Sequence, residues 1–185
     1  MELKRQSKFG TLIFLLTISL FSTGIYFEIS QENGFIKGDS GISNGDVFPV
    51  IAEHFELIIS EFRNDGHDIQ LTIPVSEIST DNWMRDFIMR MSVLDGSKGD
   101  ITFYAHYVGN LEDGYPDGIY ELNGDMTING IVNSKKVNLN FYRKNGKNFV
   151  KGSANVSLEN YNILAPGLGG IKVIDKISII IDLEL

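Results

Sequence analysis

Gly124-Asp125-Met126-Thr127-Ile128-Asn129-Gly130-Ile131 reads as the end of one strand, a tight turn and the start of the next. Before the turn, Tyr120, Leu122, Gly124, Met126 and Ile128 share one face, and Glu121, Asn123, Asp125 and Thr127 share the other. That period-two alternation is the mark of a half-buried strand. Asn129-Gly130 tolerates positive φ at both positions and so reverses a chain within two residues. Val137, Leu139 and Phe141 then resume the alternation. The stretch is a β-hairpin with one buried and one wet side, and it sets the fold class.

The same pattern extends outward in both directions. Ile69, Leu71, Ile73 and Val75 alternate with polar residues, and Pro74, which has no N–H to give a ladder, ends that strand or puts it at an edge. Ile101, Phe103, Ala105 and Tyr107 mark another strand. Val150 to Leu158 alternates after an Asn145-Gly146 turn, and Ile177 to Leu185 closes the chain. The run Val50–Phe62 fits either a helical or a strand period. Residues 110–118 read as a long acidic turn, and residues 166–170 as a glycine-rich loop. One helix is expected after a cap at Thr80 or Asp81, with Trp83, Phe87 and Met91 at i, i+4 and i+8. Met84 and Ile88 widen that stripe, leaving Arg85, Asp86 and Arg90 for water. Strands joined in sequence by short turns predict an antiparallel meander, closed into an up-and-down barrel or curved sandwich, since closure removes exposed edges.

Composition excludes several functions. The chain has 185 residues, 43% of them hydrophobic, enough for one domain with a core. Its net charge of −8 and its lack of a basic stripe argue against nucleic acid. The absence of cysteine removes disulfides, thiol chemistry, thiolate metal sites and a lipid-modified N-terminal cysteine.

Lys4, Arg5 and Lys8 precede an apolar run from Phe9 to Phe27. Residues 1–27 therefore read as a secretory signal, with Ser22 and Gly24 three and one residues before a cut, or as an uncleaved membrane anchor. A buried core helix is the third reading. Either of the first two puts the rest of the chain outside the cytoplasm. Residues 28–49, rich in Gly, Ser, Asn and Asp, read as a tether and first strand, and residues 50–185 as the barrel domain.

No catalytic constellation stands out. His54, His67 and His106 are scattered, and His67 sits in Asn64-Asp65-Gly66-His67-Asp68, which reads as a solvated turn without the distal glutamate of a calcium loop. There is no G-x-S-x-G, and the glycines at 167, 169 and 170 lack the helix and lysine of a phosphate loop. Neither a metal nor a cofactor is expected. Arg85-Asp86 reads as a local ion pair or as a pair that orients a polar head at a cavity mouth.

Four ordered segments carry a resemblance over roughly residues 68–185: Ile73-Pro74-Val75 with Ser79-Thr80; Asn82-Trp83-Met84-Arg85-Asp86 with Val93-Leu94-Asp95; the 124–131 hairpin with Lys136-Val137-Asn138-Leu139; and Gly152 through Tyr161 and Pro166 with Val173-x-Asp175-x-Ile177. In this order they resemble the YceI-like family of bacterial periplasmic lipid-binding domains. The chain departs from the family in lacking the His-Ser pair of the first strand, and in having Gly96-Ser97-Lys98-Gly99-Asp100 after the helix.

The resemblance implies a mainly β, lipocalin-like, eight-stranded antiparallel barrel with one short helix packed at an end, an architecture whose lumen admits side chains or one small ligand. It implies that the lumen holds a polyisoprenoid or similar amphiphile. Trp83, Met84, Phe87, Met91, Phe103, Met126, Ile128, Leu139 and Phe141 are the candidate cavity residues. The expected partner is thus a hydrophobic small molecule, with the membrane added through an uncleaved N-terminal segment, and a homodimer is compatible with the sequence. The alternative is a barrel with a filled core, acting as an envelope structural, interaction or stress-related protein. An enzyme acting on a lipid would need His106 clustered with an acid inside the lumen.

Overall fold

The computed structural model describes residues 24–30, 34–62, 66–108, 117–164, 167–168 and 171–185. In chain order the elements are β1 (Gly24–Ser30), β2 (Gly34–Gly41), β3 (Val47–Ala52), β4 (His54–Phe62), β5 (Gly66–Ile73), β6 (Ile78–Ser79), α1 (Trp83–Ser92), β7 (Ile101–Val108), β8 (Gly118–Ile128), β9 (Ile131–Lys144), β10 (Lys147–Ser157), β11 (Gly167–Leu168), β12 (Ile171–Lys172) and β13 (Lys176–Glu184).

The opening hairpin forms as its sequence dictates. β8 and β9 pair with Ile128 opposite Ile131, and Asn129 and Gly130 between them take φ of 51° and 73°. Leu122, Gly124, Met126 and Ile128 are buried, and so are Val137, Leu139 and Phe141. Gly124 is needed for packing as well: a Cβ there would come within 2.7 Å of the Phe103 ring and 2.8 Å of the Ala105 side chain. Asn145-Gly146 makes the second such turn, with φ of 54° and 78°, between β9 and β10.

All pairings in the main sheet are antiparallel, in the order β1-β4-β5-β7-β8-β9-β10-β13-β2-β3-β6. The sheet has eleven strands, against an expectation of eight, and β11 and β12 pair apart from it as a two-stranded ribbon. The surplus has identifiable sources. Val50–Phe62, ambiguous in period, contains two strands, because the chain turns at Glu53 between the end of β3 and the start of β4. The polar segment 28–49, expected to be a tether and one first strand, holds the end of β1, all of β2 and the start of β3. Its glycines and serines suit inward positions, as the site below shows.

β3 and β4 lie toward opposite ends of this strand order, yet Glu53 is the only residue between them. Consecutive Cα atoms are about 3.8 Å apart, so the sheet curls until its two ends meet. The Glu53 N–H donates to the Glu77 carbonyl at 2.8 Å, tying that corner to the short 3-10 turn Val75–Glu77. The meander is up-and-down from β4 to β10, but β13 then inserts between β10 and β2, joining the last strand to an early one.

Residues 1–23, on which the signal or anchor reading mostly falls, lie outside the described residues, as do 110–116 of the acidic turn and 166, 169 and 170 of the glycine-rich loop. No described helix is long and apolar enough to cross a membrane.

Candidate functional site

The interior is unequal along its length. Leu122, Leu139, Phe141, Val150 and Leu183 are buried at the end of the barrel away from α1. Tyr120 places its ring edge-on to Phe141 at 5.8 Å and to Tyr107 at 4.6 Å, closing that end with aromatic contacts. Toward α1 the inward positions become smaller: Gly38 and Ser40 on β2, Ala52 on β3 and Ala154 on β10. A cavity of about 730 Å³ opens there, within the roughly 300–1,000 Å³ of typical small-molecule sites.

Its wall is almost wholly aliphatic. Ile36, Val50, Leu71, Ile73, Ile101, Val137, Val156, Ile177, Ile179 and Ile181 line it, with Phe103, Met126 and Ile128 from the candidate set. The polar lining comes from Ser40, Thr80, Asn82 and Arg85, and no acid lines the cavity among the described residues.

The roof is α1 and the segments flanking it. Asn82 caps the helix, its side chain accepting from the Arg85 N–H at 3.0 Å, so the cap falls one or two residues beyond the expected Thr80 or Asp81. Thr80, only 1% exposed, is the hub instead. Its N–H and hydroxyl both donate to Asp86 Oδ1, at 2.7 and 2.5 Å. Arg85 donates from Nε to the Thr80 hydroxyl at 3.0 Å and from one terminal nitrogen to the Thr80 carbonyl at 2.8 Å. Arg85 and Asp86 thus converge on Thr80 where a direct pair was expected. The Arg85 guanidinium also lies over the Phe48 ring, 4.2 Å from its centroid. Arg90 holds the far end of the helix by donating to the Ser76 and Ile78 carbonyls at 2.8 and 3.0 Å.

These anchors rotate the helix relative to expectation. Met89, which the stripe reading left out, is buried and lines the cavity with Met84, Arg85 and Ile88. Trp83, Phe87 and Met91, expected at the cavity, face outward, 76%, 61% and 71% exposed. The arginine and the aspartate turn toward Thr80, whose backbone N–H and carbonyl they satisfy. Leu139 and Phe141 also miss the cavity; they are buried at the packed end. Of the nine candidates, Met84, Phe103, Met126 and Ile128 line the space. Ser40 and Gly38 were hidden by their polar surroundings.

On the side of the mouth near Val173, the Asp175 carboxylate accepts from the Ser157 hydroxyl at 2.6 Å and from the Glu159 N–H at 2.8 Å. These bonds, the Ser157 one first, hold its carboxyl below the ordinary 3.8. They fix the turn that presents Leu158 to the cavity.

The histidines make no lumen centre. His67, expected in a solvated turn, is buried within β5, and its Nδ1 has no hydrogen-bond partner among the described residues. His106 does meet an acid, Asp68 at 2.9 Å, but both sit on the outer face of the sheet. Among the described residues no group of His, Asp or Glu is arranged to hold a metal ion.

Comparison with known proteins agrees with this architecture. Residues 39–185 match the family model described as the YceI-like domain. A polyisoprenoid binding domain from Saccharophagus degradans implicated in plant cell wall breakdown superposes with a TM-score of 0.65 at 12% identity, covering 86% of this chain and 96% of that one. BcnA of Burkholderia cenocepacia superposes with a TM-score of 0.62 at 16% identity, covering 81% and 96%. At these identities the likeness is one of fold. No curated protein matches the chain by sequence.

Proposed function

This chain belongs to the YceI-like domain family, and on that premise we propose that it holds a polyisoprenoid or similar amphiphile in the upper half of its barrel, outside the cytoplasm and without covalent chemistry. The observation that carries this reading is the cavity of about 730 Å³, aliphatic throughout its depth and polar only beneath α1. Burying a prenyl tail is favourable by about 0.8 kcal/mol per methylene-sized group, so the tail needs no directed contacts. Met84, Met89 and Met126 supply walls that adapt to its shape. The polar end of the ligand lies toward Ser40, Thr80, Asn82 and Arg85. Arg85 is the cation there, and its second terminal nitrogen is not engaged by Thr80, so the head is anionic or a hydrogen-bond acceptor. The basic flank and apolar run of residues 1–27 support export or anchoring.

The test is organic extraction of the protein from its own host, followed by mass spectrometry, together with uptake of a polyprenyl phosphate from detergent. A stoichiometric prenyl lipid is expected. A protein that comes out lipid-free and takes up none would sink the reading and favour a structural or interaction role. N-terminal sequencing of the mature protein tests the export reading.

A further inference from the structure

The outward face of α1 is an exposed apolar surface on the molecule's roof. Trp83, Phe87 and Met91 lie along it at helical spacing, flanked by Met84 and Ile88, which are 54% and 43% exposed and also line the cavity. The patch is therefore continuous with the mouth. Val47 and Ile174, next in sequence to the lining residues Phe48 and Val173, add exposed apolar surface to the rim. In a chain of net charge −8, this helix exposes no acid: its one carboxylate, Asp86, is turned to Thr80, and the flanking acids Asp81 and Asp95 lie beyond its ends.

We infer that this face docks on a lipid bilayer, with Trp83, Phe87 and Met91 seated at the headgroup–acyl boundary. The inference rests on the cargo reading above and adds the route by which the cargo moves. A tail passing from membrane to lumen through water would expose its whole length, at about 0.8 kcal/mol per methylene. A mouth pressed against the bilayer avoids that exposure. The side-chain chemistry fits an interface: tryptophan favours the headgroup level, and helices that lie in the interface carry Trp, Phe and aliphatic residues on one face and cations on the other. Here Arg85 lies on the opposite side of the helix, turned to Thr80, and Arg90 borders the apolar face beside Trp83. Continuity of the patch with the mouth through Met84 and Ile88 suits a surface that itself supplies the lipid.

Trp83 is the sole tryptophan of the chain, so its fluorescence reports this helix alone, even if the N-terminal apolar run itself binds lipid. The full chain is mixed with phosphatidylcholine–phosphatidylglycerol vesicles carrying brominated acyl chains. Docking predicts a blue shift of Trp83 emission, quenching by the bromolipid and protection from aqueous iodide. The double variant Phe87→Ser, Met91→Ser should lose the shift and the quenching, yet still take up polyprenyl phosphate from detergent. Emission that stays water-like and iodide-quenched on the vesicles overturns the docking, whatever lipid the lumen carries. So does a blue shift that appears without lipid and grows with protein concentration, which would assign the face to a second copy. Bromolipid quenching in a protein whose lumen takes up no lipid would instead refute the cargo reading.

Discussion

The side-chain amide of Asn129 donates to the Val93 carbonyl at 2.7 Å, and its oxygen accepts from the Asp95 N–H at 3.0 Å. The turn of the β8–β9 hairpin therefore also holds the segment that leaves α1, more than thirty residues away in sequence, and so steadies the roof of the cavity. Asn129→Gly keeps the positive φ and loses both bonds, at an expected cost of about 1–3 kcal/mol. Asn129→Ala adds about 1–2 kcal/mol for the left-handed backbone. Urea unfolding should rank wild type above the glycine variant and the glycine variant above the alanine one; a glycine variant as stable as wild type would deny the tether any role.

The unequal interior predicts that binding and stability separate. Ala154→Phe projects a ring into the cavity from a wall position. It should abolish polyprenyl phosphate uptake while leaving the unfolding midpoint nearly unchanged, because the space is there. Phe141→Ala, in the packed end, should cost about 3–5 kcal/mol and leave uptake intact at a temperature where the variant is folded. Parallel loss of uptake in both variants would mean that the two ends act as one.

Acid should weaken the Asp175 anchor. Its folded-state carboxyl is held below the ordinary 3.8 by the Ser157 hydroxyl and the Glu159 N–H, so its stabilising contribution is full above that ordinary value and fades as pH falls through the lower folded-state one. Asp175→Asn should be less stable than wild type near neutrality, with the gap narrowing below pH of about 4. Urea titrations at several pH values would show this, and a gap independent of pH would assign the loss to geometry alone.

Tyr161 is fully buried, its hydroxyl has no hydrogen-bond partner among the described residues, and burial pushes its pKa up to about 12. Removing that hydroxyl relieves an uncompensated desolvation, so Tyr161→Phe should raise stability by about 1 kcal/mol. A destabilised phenylalanine variant would reveal a partner such as a bound water.

β5, β7, β8, β9, β10 and β13 were legible because a period of two survives in residues such as Leu122, Gly124, Met126 and Ile128, whereas the two-residue strands β6, β11 and β12 are too short to carry one, and β11 lies in the segment read as a glycine-rich loop. The early strands were not. β2 lines the cavity with Gly38 and Ser40, where small residues leave room for a ligand, and small polar residues in sequence look like a linker. The helix was found and its facing was missed. Trp83, Met84, Phe87, Ile88 and Met91 form one apolar arc, so periodicity pointed that arc inward, whereas it is Met89, apart from it, that is buried. That facing is set by the backbone of Thr80, whose demand for Arg85 and Asp86 is a tertiary fact. Leu139 and Phe141 were correctly read as interior, but nothing local told the packed end from the hollow one.

The pairing of β13 with β2 also imposes an order of events. Gly34 to Asp39 find their partners at Leu183 to Ser178, nearly the full length of the chain away, so this pairing comes late and slowly by the cost of closing so long a loop. Until β13 is available, the wall bearing Ile36, Gly38 and Ser40 has one neighbour instead of two, and the lumen stays open. A chain in which β13 has not yet paired would therefore be an empty, open sheet: β13 closes the container, and cargo can enter only once it is in place.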